Sequence, residues 1–434
     1  GFGAGDATDG QRTAFADVLL DYLVNRSDIL GDSVAEREST LDTAGLRIHT
    51  TLDPDAQSAA EAAREVLPST SAGFGTAIVS LDTNSAAVRA LVGPPGEETL
   101  GGEANMAVAP RETGSAARAF IVAAATNAGV LADDVIDNTT PCTFPSDEPG
   151  EIPFVIADAV SGGIESIGLT TARSYQCGAE RLTRVVGVES VLETMYQMTA
   201  SAYLDPTAVS PAPLPYESRG LTLSAHQLSA LDMASGMQTI ANEGVHHAPY
   251  FVEYIDDADG NRLYTHRDDG ERVLSADAAL ETVDILKDVI YSGGVGRRAV
   301  LDQDRPAIGV TGTEQDNINA WFVGATPELA TAVWVGDPAA LTPMQRIPEL
   351  TAEFPGLGVQ GGHFPAVIWK TFTDTALTRT TLTDWANPPE PTRPPARLIV
   401  PSVDCRATDA GPQPIEPRQP VTSVDLETTI VPCE

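Results

Sequence analysis

The residues of this chain that could do nucleophilic chemistry begin with Ser115, which follows a glycine and precedes an alanine-rich stretch. A serine hydroxyl attacks when a base within hydrogen-bond reach removes its proton, and residues three apart share one face of a helix. The residue at that spacing is Arg118, whose guanidinium stays protonated at neutral pH and cannot take the proton. Ser115 is also explained as an ordinary helix N-cap. Arg118 is explained equally well as a solvated side chain or as an ion-pair partner of Glu112 or Glu103.

Other bases for Ser115 are few. The chain has only two lysines, Lys287 and Lys370, and neither is in register with the serine. The six histidines are isolated or, at positions 246–247, in a predicted turn, so each is interpreted as structural or solvated. An active Ser115 would therefore need an unorthodox base, and Glu112 or Asp316 are the candidates.

The four cysteines, Cys142, Cys177, Cys405 and Cys433, form no C-x-x-C pair. The sequence therefore has no zinc-site spacing, and we expect no metal and no other cofactor. The cysteines fall into two regions, which favours Cys142–Cys177 and Cys405–Cys433 disulfides and an oxidising, extracytoplasmic location. Four cysteines allow three connectivities, and free buried thiols remain the alternative.

Charge excludes several classes of partner. Among 434 residues, 61 are acidic and 26 basic, a formal net charge of −35, which repels nucleic-acid phosphates and anionic lipid surfaces. A high-salt environment favours this composition, and a GC-rich genome also depletes lysine. No stretch approaches the roughly 18 apolar residues of a membrane span, and no signal peptide is visible. The small, polar opening leads us to expect a piece of a longer protein.

Hydrophobic periodicity predicts the elements that position Ser115. Helices are predicted over 11–45, 56–66, 116–127, 179–199, 224–241, 276–291 and 366–376. Strands are predicted over 46–52, 75–81, 87–93, 249–255, 261–264, 307–311, 320–324 and 330–336. We expect a linker module over 1–69, a main domain over 70–386 with a helical insertion at about 128–245, and a Pro-rich linker and tail over 387–434.

Several short sequence segments match segments of a known protein family, and they occur in the same order along the chain. The segment 46–54 followed by Gln57 resembles the linker strand ahead of the transpeptidase domain in class A penicillin-binding proteins. Further matching strings lie at 231–234, 241–245, 311–317, 320–329, 333–336 and 365–370. The resemblance covers about residues 12–385. It implies an α/β (α+β) fold like that of penicillin-binding proteins and β-lactamases, with a central antiparallel sheet, flanking helices and a helical insertion.

The family uses three motifs, S-x-x-K, S-x-N and K-T-G, to acylate a serine with the D-Ala–D-Ala end of a peptidoglycan stem peptide or with a β-lactam. The resemblance places the nucleophile at Ser115, and Arg118 stands at the position of the general-base lysine. Ser174 and Gln176 occupy the second motif. The substrate-binding third motif becomes Val310, Thr311, Gly312 and Thr313, with its lysine replaced. All three motifs therefore depart from the family pattern.

We accordingly expect a catalytically degenerate transpeptidase-like domain that acts as scaffold or binding module in a cell-wall synthesis protein. Its expected partners are the stem peptide or other cell-wall synthesis proteins, and we expect no acylation by β-lactams. One alternative is an active D,D-transpeptidase or carboxypeptidase that uses Ser115 with another base. A second is a secreted peptide- or protein-binding module without cell-wall chemistry. The resemblance implies a cell-envelope or secreted location, with any membrane anchor and glycosyltransferase domain outside this chain.

Overall fold

A five-stranded antiparallel sheet organises this protein, whose computed structural model describes residues 13–94, 105–144, 154–157, 159–201, 204, 227–267, 270–354 and 358–391. The described strands are, in chain order, β1 (Arg47–Thr50), β2 (Gly75–Asp82), β3 (Val88–Val92), β4 (Arg111–Glu112), β5 (Val135–Asp137), β6 (Cys142–Phe144), β7 (Phe154–Ile156), β8 (Ile164–Ser166), β9 (Gln227–Leu228), β10 (Val245–His246), β11 (Val252–Asp256), β12 (Arg262–Thr265), β13 (Glu271–Arg272), β14 (Ile308–Thr313), β15 (Asn319–Ala325) and β16 (Leu329–Gly336). The described α-helices are α1 (Ala14–Asp21), α2 (Val34–Thr43), α3 (Pro54–Arg64), α4 (Arg118–Asn127), α5 (Ile167–Ala172), α6 (Gln176–Val186), α7 (Val188–Thr199), α8 (Ala230–Ala241), α9 (Ala276–Ile290), α10 (Pro348–Thr351) and α11 (Phe364–Ala376).

The strands of the central sheet run in the order β14-β15-β16-β2-β3, and each neighbouring pair is antiparallel. They correspond to five of the predicted strands, those at 75–81, 87–93, 307–311, 320–324 and 330–336. Because β14 has one neighbour in this sheet, its other edge is free to meet the turn that carries Ser115. The predicted α/β architecture with a central antiparallel sheet is confirmed.

Helices cover both faces of the sheet, and the side chains of β15 point alternately into the two cores that result. Trp321 and Val323 belong to the core that contains α4, α8 and α9. Ala320 and Phe322 point the other way, into the core formed with α3 and α11. Successive side chains of a strand point to opposite faces, so an apolar strand requires two apolar layers. Burying each such large side chain stabilises the fold by about 1.5–3 kcal/mol.

Two predicted helices are broken in the structure. The helix predicted over 11–45 ends in a π-helical turn, Tyr22–Arg26, and a new helix starts after Ser33, whose side chain accepts from the Glu36 N–H. The helix predicted over 179–199 is divided by Gly187, whose φ of +94° interrupts the helical path. Because α2 buries none of its own side chains, its start is set by the Ser33 cap rather than by tertiary packing.

The linker strand predicted over 46–52 pairs with the predicted hairpin, in the three-stranded sheet β1-β11-β12. Asp53 caps α3 by accepting from the backbone N–H groups of Asp55 and Ala56, and Pro54 occupies the first helical position. The helix therefore begins at Pro54, two residues before its predicted span of 56–66, because this cap fixes its first turn.

The chain after α11 returns across the molecule. Trp385 Nε1 donates to the Ala241 carbonyl at 2.8 Å, and Lys287 Nζ lies 2.9 Å from an Asp384 carboxylate oxygen. The predicted Cys405–Cys433 bond lies outside the described residues. Within those residues, no helix combines the length and apolar character that crossing a membrane requires.

Candidate active site

Ser115 lies in a 3₁₀ turn, Gly114–Ala117, packed against the free edge of β14. Gly114 has a φ of +56°, and a Cβ there would lie 2.7 Å from the Thr313 carbonyl carbon, so only glycine fits this turn. Ser115 Oγ donates to the Thr311 carbonyl oxygen at 3.1 Å. Ser115 therefore lies beside the third motif, as one active site built from the motifs of the resemblance requires. Its alternative as a simple N-cap is wrong, because no side chain caps α4.

Arg118 begins α4 and is 4% exposed. Its Nη1 donates to the hydroxyl of Ser174, and no carboxylate pairs with it within the described residues. Burial lowers the pKa of Arg118 to about 10, so the guanidinium remains protonated at neutral pH. The readings of Arg118 as solvated, or as paired with Glu112, are wrong, since packing against α6 encloses it. Glu103 lies outside the described residues.

Ser174 and Gln176 flank the junction of α5 and α6. Ser174 has a φ of +57°, an uncommon conformation for a residue with a Cβ, and it places the hydroxyl against Arg118. Gln176 opens α6, half-buried, and its side chain forms no hydrogen bond to a described residue. The predicted Cys142–Cys177 disulfide is present and ties the start of α6 to β6. The structure thus brings the first two motifs together through the Arg118–Ser174 bond.

The third motif lies along β14. Val310 is 4% exposed and belongs to the core on the α4 side, so this position supplies no charge. A Cβ on Gly312 would lie 2.3 Å from the Thr113 carbonyl oxygen. Thr313 Oγ1 accepts from the Gly361 N–H at 3.1 Å. In an antiparallel strand, the N–H groups of residues two apart face the same edge, so the Thr313 N–H faces Ser115 as the Thr311 carbonyl does.

Glu314 forms a carboxyl pair with Glu112 that the sequence did not reveal. The two side chains hydrogen-bond each other, and together with burial this contact raises the pKa of Glu314 to about 7. Asn319 donates to Glu314 and accepts from Trp334 Nε1 at 2.7 Å. The Glu314 carboxyl is therefore partly protonated near neutral pH. Asp316, the other base considered, is exposed in the turn after β14.

Sequence reasoning also missed Gly361. A Cβ there would lie 2.2 Å from the Trp321 carbonyl oxygen and 2.6 Å from that of Gly312, so its loop crosses the strands at backbone contact. The Gly361-Gly362 doublet is the signal that could have found it. Glu314 had no such signal, because its partner lies about 200 positions away in the chain.

In this arrangement, none of the motif residues beside Ser115 can act as a base toward its hydroxyl. The Ser115 proton points to a backbone carbonyl, and the nearest motif cation is a protonated arginine bonded to Ser174. The Thr313 N–H still faces the serine, as a donor for an oxyanion would.

Comparison with known proteins agrees with this geometry. The family profile described as the penicillin binding protein transpeptidase domain matches residues 76–342. Penicillin-binding protein 1A of Mycolicibacterium smegmatis is 30% identical over 409 residues, which cover 91% of this chain and 49% of that protein. Penicillin-binding protein 1A of Mycobacterium tuberculosis is 30% identical over 367 residues, covering 81% and 42%. The chain thus spans about half the length of the curated relatives it matches.

Solved structures give the same result. The PonA1 protein of Mycobacterium tuberculosis, in complex with penicillin V, superposes with a TM-score of 0.69 at 28% identity, covering 81% of this chain and 91% of that one. A second PonA1 structure gives a TM-score of 0.70 at 26% identity, covering 91% and 95%. This chain therefore belongs to the penicillin-binding protein transpeptidase family, as the transpeptidase domain of a class A member.

Proposed function

We propose that this domain no longer forms an acyl-enzyme and serves as a folded scaffold or binding module within a peptidoglycan synthesis protein of the cell envelope. Its ligand would be a stem peptide, or its partner another cell-wall synthesis protein. The family supports the peptidoglycan setting, and the departures in the three motifs support the loss of catalysis. Any glycan polymerisation would belong to parts of the protein outside this chain.

The observation that carries the proposal is the state of Arg118. A general base must accept a proton near the working pH, and a group with a pKa of about 10 that is protonated and buried cannot do so. Losing a general base costs about 10²–10⁴-fold in rate. Val310 removes a second positive charge, the one that would hold a substrate carboxylate.

The test is a gain of function. Wild type and the variant Arg118→Lys, Gln176→Asn, Val310→Lys are incubated with excess β-lactam and their intact masses measured. Because the backbone around Ser115 is kept, we expect an adduct on the variant and none on wild type. The variant carrying Ser115→Ala in addition is the control that assigns the adduct to Ser115, and circular dichroism checks that each protein is folded.

Two outcomes would change the proposal. Ready labelling of wild type would show that catalysis survives. If the folded variant also fails to label, the groove does not accept the drug, and a scaffold role without this ligand is the better account.

One observation favours a second candidate, an active transpeptidase with an unorthodox base. Burial and the neighbouring Glu112 raise the pKa of Glu314 to about 7, near the value that suits a general base at neutral pH. Glu112 lies three residues before Ser115, and Glu314 directly follows Thr313, whose N–H faces the serine. If wild type labels, Glu112→Gln and Glu314→Gln should abolish labelling in this candidate, while the exposed Glu38→Gln should not.

A further inference from the structure

Arg118 differs from Arg305, which is also buried, and from the largely enclosed Arg184, because no acid among the described residues neutralises it. Arg305, 6% exposed, lies 3.4 Å from a Glu328 carboxylate oxygen. Arg184 pairs with the fully buried Glu180 at 2.8 Å. Arg118 is more deeply buried than Arg305, yet its only bond to a described residue is to the neutral Ser174 hydroxyl. Among the described residues, this cation therefore has no counter-charge.

A cavity lies beside Arg118, between α4, α5 and α6. It has room for about one water-sized particle. The lining residues are Arg118, Ile121, Val122, Thr170, Thr171, Ala179 and Leu182. No carboxylate lines it. The Nε–H of Arg118 is fully buried and has no hydrogen-bond partner among the described residues.

Thr170 also lines the cavity and carries a hydroxyl. Its Oγ1 accepts from Asn138 Nδ2 at 2.9 Å and donates to no described residue, so its own proton is free. Thr171 Oγ1 instead donates to the Ile167 carbonyl at 2.8 Å. The polar groups that remain unused around the cavity are therefore a cationic N–H and a hydroxyl, and both are donors.

A buried charge without a counter-charge or full hydrogen bonding costs several kcal/mol, so such sites are neutralised by a partner. A water molecule would accept the two hydrogen bonds but would leave the charge in place. Sulfate or phosphate is too large for the space and would bring excess charge. We propose that this cavity binds one chloride ion, held by the Nε–H of Arg118 and the hydroxyl of Thr170.

The proposal is tested by thermal unfolding of the protein in sodium chloride and in sodium gluconate at equal ionic strength, from 10 mM to 1 M. Binding to the folded state raises the midpoint, so we expect chloride to raise it by about 2–4 °C over gluconate at the highest concentration. Arg118→Met should remove this difference. Arg379→Met, which deletes an equal charge from an exposed position, should keep it.

Two further measurements cover the case in which Arg118→Met does not fold. Ala179→Val keeps the arginine but fills the cavity, and it should also lose the chloride effect. Crystals grown in sodium bromide should show an anomalous peak beside Arg118 Nε. Equal midpoints in the two salts, a chloride effect that persists in either cavity variant, or a site that holds water without anomalous signal would each overturn the proposal. None of these results depends on whether Ser115 can be acylated.

Discussion

The two sides of Ser115 depart from the family motifs to different degrees. On the sheet side one motif residue, Val310, differs, while Gly312 and Gly361 make backbone contacts at which a Cβ would lie 2.2–2.3 Å from a carbonyl oxygen. On the helix side, which comprises Arg118, Ser174 and Gln176, the contacts are made by side chains, and two of the three motif residues differ. The fold itself requires the sheet-side contacts, whereas the helix-side residues are constrained by chemistry. A transpeptidase domain can therefore keep its shape after its base is replaced.

Removing the disulfide should have the largest effect and should act on the helix side. The Cys142–Cys177 bond closes a loop with a sequence separation of 35, for which chain entropy gives about 3–4 kcal/mol of stabilisation. The double variant Cys142→Ser, Cys177→Ser should lose that much free energy of unfolding in urea. A loss below about 1 kcal/mol would show that packing alone holds α6 in place.

On the sheet side, Gly312→Ala should lower the free energy of unfolding by about 2–4 kcal/mol, because its Cβ would meet the Thr113 carbonyl oxygen at 2.3 Å. Gly163→Ala is the matched control, since nothing lies within 4 Å of a Cβ there and its effect should be small. Equal costs in urea unfolding for the two variants would contradict the backbone account of the sheet side.

Ser174→Ala should cost about 1–3 kcal/mol, because it leaves Arg118 buried without its one hydrogen bond in the described structure. Ser39→Ala, on the exposed face of α2, makes the same chemical change without that consequence and should be nearly neutral. Thermal or urea unfolding measures both. A neutral Ser174→Ala would mean that Arg118 is satisfied by another group.

Glu314 should give a smaller, pH-dependent effect. Its pKa is raised to about 7 in the folded protein, above the 4.5 of an unperturbed carboxyl, so the folded state binds more protons between these values. This group's contribution to stability therefore falls as pH rises from about 4.5 to 7 and is level above that. Glu314→Gln should flatten this part of the pH profile of the unfolding midpoint, and the exposed Glu38→Gln should leave the profile unchanged. Parallel profiles for wild type and Glu314→Gln would contradict the raised pKa of Glu314.

Much of the scaffold could be predicted from sequence because β-strands and amphipathic helices have local periodicities. The five strands of the central sheet and the approach of Ser115 to Thr311 follow from such patterns and from the family resemblance. The predictions that failed concern residues whose environment is set by contacts with residues distant in sequence. The sequence allowed a solvated Arg118, because it does not show that α6 packs against this side chain. It did not reveal the Glu112–Glu314 pair, because the two residues meet only where β14 contacts the Ser115 turn.

The break in the helix predicted over 179–199 has a similar cause. Within 179–199, apolar residues continue at helical spacing through Gly187, so periodicity alone predicts one helix. The left-handed glycine there redirects the chain so that α6 and α7 each pack separately against α4. A glycine can lie inside a helix or between two helices, and here the packing of α6 and α7 against α4 decides that it lies between them.

The central claim is that Ser115 has no working base, and the most direct test is the intact mass of the wild-type protein after 24 h with excess penicillin at pH values from 5 to 9. The account predicts an unmodified mass at every pH, because Arg118 remains protonated throughout most of that range and Ser115 donates to a backbone carbonyl. An adduct that peptide mapping assigns to Ser115 would contradict it. If the labelling rate also rises through pH 7, the Glu112–Glu314 pair is the base.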